Sequence, residues 1–92
     1  MTEEQAETYA LRALAWLAGN DELLPVFMGS SGSSIESLAA LAKAPEALGS
    51  VLDFLMMDDN WVLAYAAYDG SDPLDMQRAR MALPGGNEHH WT

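Results

Sequence analysis

TEEQAETYALRALAWLAGN, Thr2 to Asn20, decides the fold class. The Thr2 hydroxyl can accept from a free amide of a first helical turn while Gln5, three residues on, reaches back, which is capping-box spacing. Glu3, Glu4 and Glu7 suit the positive end of a helix dipole. Tyr9, Ala10, Ala13, Leu14, Trp16 and Leu17 then recur at three- and four-residue intervals, one wide stripe that stops at Gly19 and Asn20. This spacing predicts an amphipathic helix from Thr2 to Ala18.

The same grammar repeats along the chain. Asn20 and Asp21 read as a new cap before Leu23, Leu24, Phe27 and Met28, a short helix that Pro25 should leave partly 3₁₀. Gly29 to Ser34, GSSGSS, reads as a surface loop. Ser33 and Glu36 restore the capping-box spacing ahead of Ile35, Leu38, Ala39, Leu41 and Ala42, a third helix ending at Ala44. Pro45 opens a fourth, whose Leu48, Val51, Leu52, Phe54, Leu55, Met56 and Met57 cover more than one face, so it is expected to be the central, most enclosed element. Asp58 or Asp59 caps a fifth from about Asn60 to Tyr68, packing through Trp61, Val62, Tyr65 and Ala66. Pro73 opens a sixth with Leu74, Met76, Gln77, Ala79, Met81 and Leu83, stopped by Pro84, Gly85 and Gly86. The expectation is an all-α, compact bundle of about five to six short helices: one domain over 1–84 and a C-terminal tail over 85–92.

Composition agrees. The chain has 92 residues, enough for one hydrophobic core. Half of them are apolar, and the β-branched Val and Ile are scarce beside Ala, Leu and Met. Fourteen acidic residues face Arg12, Lys43, Arg78 and Arg80, for a net charge of -10, which repels a nucleic-acid backbone or an anionic membrane surface. There is no cysteine, hence no disulfide, thiolate metal site or cysteine nucleophile. The first residues do not form a basic-then-apolar leader and no apolar run approaches the ~20 residues that span a bilayer, so a cytoplasmic location is expected.

VLDFLMMDD at Val51 to Asp59, ARMALPGG at Ala79 to Gly86 and the closing HWT at His90 to Thr92 resemble a family of small bacterial proteins, mostly alphaproteobacterial, catalogued as domain of unknown function 3572. The likeness covers nearly the whole chain. It implies a short helical protein and brings no activity, ligand or catalytic residue with it.

Candidate chemistry is thin. His89 and His90 are adjacent in the tail and lack the spacing that converges two imidazoles on one metal. Asp58, Asp59 and Asn60 offer oxygen ligands for a hard cation, yet carboxylates before a helix are ordinarily caps. Asp69 to Arg80 begins like a calcium loop but has Leu74 where the sharp turn needs glycine and Arg80 where the bidentate glutamate belongs. GSSGSS carries neither a phosphate-loop lysine nor a nucleophile elbow. Asp53 is the one charge in an apolar run, set either on a solvated edge or as an acceptor for an arginine, an amide or an indole. Trp16, Trp61, Tyr65 and Tyr68 read first as core. Trp91 has no helix to belong to, and docks either on this chain or on another.

No nucleophile, base and orienter can be assembled, so the chain reads as a non-enzyme, with no cofactor and no metal implied. The expected function is that of a small acidic protein-interaction module, its partner basic or a second copy, with Asp58, Asp59, Trp61 and Trp91 as candidate contacts. Nucleic acid and membrane are not expected partners. The alternative is a small-ligand-binding domain with a pocket between the fourth and fifth helices, near Trp61 and Tyr65.

Overall fold

Thr2 does cap the first helix: its hydroxyl accepts from the Gln5 amide at 3.1 Å while the Thr2 amide donates to the Gln5 side chain at 2.9 Å. The structure, a computed structural model, describes residues 1–31, 39–40 and 42–83, and among these there are five helices and no strand. They are α1 (Glu3–Ala18), α2 (Leu23–Ser31), α3 (Pro45–Leu55), α4 (Asp59–Asp69) and α5 (Leu74–Ala82). Residues 39 and 40 are helical, but residues 42 and 43 form a turn and Ala44 is extended, so the expected third helix stops short of Ala44; its earlier residues, Ser33 and Glu36 included, and Leu41 lie outside the described residues, as does the tail from Pro84.

Local chemistry sets the helix boundaries. The Asn20 side-chain oxygen accepts from the amides of Glu22 and Leu23, each at 3.0 Å. That places Pro25 in the first turn of α2, where an amide hydrogen has no intrahelical acceptor in any case. So α2 is a regular α-helix rather than a partly 3₁₀ one, and it runs through Gly29, Ser30 and Ser31, the first half of the expected loop. Asp58 caps α4 by accepting from the Asn60 amide at 2.8 Å, and Gly70 ends it in the left-handed region at φ 72°. Asp72 accepts from the Leu74 amide at 2.8 Å and starts α5 beside Pro73.

The centre of the bundle is shared. α1 packs on α5, α3 and α2, and α3, enclosed as expected, packs on α1, α5 and α4. On α1, Ala6, Ala10 and Ala13 are fully buried and let neighbouring backbones approach closely. α3 supplies the bulk instead, through buried Leu48, Val51, Leu52, Phe54 and Leu55. It stops at Leu55, which leaves Met57 outside the helix and 74 % exposed rather than in the core.

Rings and ion pairs fasten α4 and α5 to this centre. Tyr65 meets Tyr9 edge-on at 5.5 Å and Trp16 at 5.4 Å, and Trp61 stacks on Phe54 at 4.9 Å, itself edge-on to Phe27 at 5.0 Å. Arg12 grips Asp69 with two hydrogen bonds of 3.0 and 3.1 Å. Asp53 is the acceptor that the sequence allowed, taking a 2.7 Å bond from Arg80 on a half-solvated edge of α3. No helix among the described residues is long and apolar enough to cross a membrane.

Candidate functional site

α4 and α5 make little direct backbone contact with each other, although each is packed onto the centre. Between them lies a groove of about 460 Å³ lined by Met56, Asp59, Val62, Leu63, Pro73, Leu74, Met76 and Gln77. The sequence builds it in two steps. Gly70 and Pro73 turn the chain between the helices. The stripe that buries Tyr65 and Ala66 then leaves Leu63 on the other side of α4, while Leu74 opens α5 beyond its own buried positions, Met76 and Ala79.

Leu63 is 54 % exposed and Leu74 56 %, and of the exposed large apolar residues among the described ones these two line the same groove. Half-buried Met56 adds a flexible, polarisable wall that adjusts to irregular apolar shapes, and core Met76 closes the groove from beneath. Asp59 is the one charged residue in the lining, and no lysine or arginine among the described residues joins it. The groove is thus apolar along its floor, soft in its walls and acidic at one lip.

The predicted contacts fall in different places. Asp59 lies in the groove. Asp58, next to it, is committed to the α4 cap. Trp61 is half-buried against Phe54 and Tyr65 is fully buried, and neither of these two rings lines the groove. The open space lies one helix further on. Trp91, His89 and His90 lie outside the described residues. Leu63 escaped the sequence reading because it falls between the packing positions of α4; a leucine off the apolar stripe was the available signal.

A second constellation is interior. The hydroxyls of Tyr9, Tyr65 and Ser71 are buried without a well-formed hydrogen bond among the described residues, Tyr9 facing Ser71 and Tyr65 facing the Arg12–Asp69 pair. Burial pushes the Tyr65 phenol up to about 12 and raises that of Tyr9 further, reinforced there by Tyr65. The hydrogen bonds it donates to Asp69 hold the Arg12 guanidinium more firmly protonated than usual. Such phenols keep their protons at neutral pH and make poor acid–base catalysts. No group of three or more His, Asp or Glu among the described residues is gathered to hold a metal ion.

A model of the family described as Protein of unknown function (DUF3572) matches residues 3–86. No curated protein and no solved structure matches the chain. The match takes in the five described helices, the whole groove and the turn that shapes it, and the chain belongs to the DUF3572 family.

Proposed function

We propose that this chain is a non-catalytic protein-interaction module and that the α4–α5 groove is its contact surface. The observation that carries this reading is the pair Leu63 and Leu74, each more than half exposed and, of the exposed large apolar residues among the described ones, the two that line one groove. Exposed apolar side chains gathered at one concave site are what association surfaces use, and a methionine wall such as Met56 suits a partner surface of irregular shape. The test is a chain carrying Leu63→Glu and Leu74→Glu. Both positions are exposed, so thermal unfolding should match the parent, while a partner identified from the native cell and reconstituted from purified components should no longer bind. Full retention of that partner would contradict the reading.

The groove's volume also lies in the range of small-molecule sites, which favours a second reading as a binder of small apolar ligands. Against it, the two leucines stay largely open to water, where a ligand site would enclose them. Native mass spectrometry separates the two: extra mass retained by the parent chain and lost from the double-glutamate variant would support the ligand reading.

A further inference from the structure

The groove has a polarity and a charge that point to its occupant. It is lined by Asp59, Val62 and Leu63 in the first turns of α4 and by Pro73, Leu74, Met76 and Gln77 at the start of α5, with Met56 before them. An amphipathic helix laid in an apolar groove is held through a few anchor side chains on one face. Val62, Leu63 and Leu74 offer that face its apolar seat, above a Met76 that belongs to the core.

Charge decides the rest. Asp59 is exposed at the α4 end, with no cation in the lining to offset it. Three of the chain's four cations are already paired, Arg12 with Asp69, Arg78 with Asp75 and Arg80 with Asp53. The chain's net charge of -10 disfavours a second copy and attracts a cationic helix. Resting on the interaction reading above, we propose that the α4–α5 groove receives a basic amphipathic helix of a partner protein, its apolar stripe on Val62, Leu63 and Leu74 and its cations beside Asp59.

The test uses the full chain and three synthetic peptides of about 16 residues, some four helical turns. One carries Leu at helical i, i+3, i+4 spacing with Lys elsewhere. The second has Glu in place of every Lys, and the third is a scramble of the first. Binding is followed by calorimetry and by amide shifts in nuclear magnetic resonance. The Lys amphipathic peptide should shift residues 59–63 and 73–77. It should weaken at least about tenfold, 1.4 kcal/mol, in the Leu63→Glu, Leu74→Glu chain, and severalfold in Asp59→Asn.

Equal binding of the scramble would mean that charge alone is read, and the proposal fails. Groove shifts produced by the Glu peptide and not the Lys peptide overturn the basic partner while leaving an interaction surface in place. If neither amphipathic peptide shifts the groove, both readings fall. If the Lys peptide binds only a chain cut after Leu83, the occupant is the chain's own tail and the proposal is overturned.

Discussion

Gly49 shows how one missing side chain is used. A Cβ there would come within 2.7 Å of an Arg80 guanidinium nitrogen, so the arginine lies across the bare backbone of α3 to reach Asp53. Two effects oppose each other in Gly49→Ala. Helix propensity gains about 1 kcal/mol, and dislodging a partly buried charged hydrogen bond loses about 1.5 to 3 kcal/mol. The loss wins, so Gly49→Ala should destabilise by about 1 kcal/mol, and the same change should stabilise in an Arg80→Met background. Urea unfolding of the four variants checks it; one sign in both backgrounds would contradict it. Tyr65 gives a pH prediction. Its folded value, near 12, exceeds the unfolded value of about 10, so the native state keeps a proton that the unfolded state releases. Stability is therefore unaffected by this group below pH 10 and falls as pH rises toward 12, by about 3 kcal/mol in all, because burial penalises the ionised phenol. Tyr65→Phe should make that alkaline fall shallower and shift neutral stability by less than about 1 kcal/mol, because the hydroxyl lacks a well-formed partner. Identical alkaline slopes in the parent and the variant would refute the assignment.

At the scale of elements, α3 provides bulk and α1 provides closeness. Leu52 and Leu55 are fully buried, so truncating either to Ala should cost about 2 to 5 kcal/mol, read from thermal unfolding; melting like the parent would show that α3 is peripheral. Asp58→Ala, which removes only the α4 cap, should cost about 1 kcal/mol. Helix starts were legible because they are local: Thr2 with Gln5, Asn20, Asp58 and Pro73 act within four residues of themselves. What depends on contact between distant segments was not. α1 reads as an ordinary amphipathic helix until its alanines are seen to admit α3 and α5 at close range. Gly29 and Ser31 read as loop until α2 is seen to extend through them. Leu63 and Leu74 line one groove because the chain turns at Gly70 and Pro73, and single-helix spacing does not encode which residues of two helices face one space.

For the molecule as a whole, the Cα radius of gyration is 12.2 Å, about what a compact chain of this length has, so ten excess negative charges crowd a small surface. That field should speed encounter with a cationic partner, and the on-rate should fall steeply as ionic strength rises. Asp59→Asn should reduce the on-rate at low salt without altering stability, whereas Asp58→Ala lowers stability through its cap, which separates the two neighbours. The acidity was plain in the sequence; which carboxylate stands beside an apolar floor was not. The most direct measurement places a photoreactive residue in the native cell at Leu63 and, for comparison, at Leu11 and Val26, which are exposed on α1 and α2 outside the groove. A module that binds through the α4–α5 groove predicts one discrete crosslinked partner from position 63, absent from positions 11 and 26 and lost when Leu74→Glu is added. Equal crosslinking from all three positions, or a partner from position 63 that survives Leu74→Glu, would contradict it.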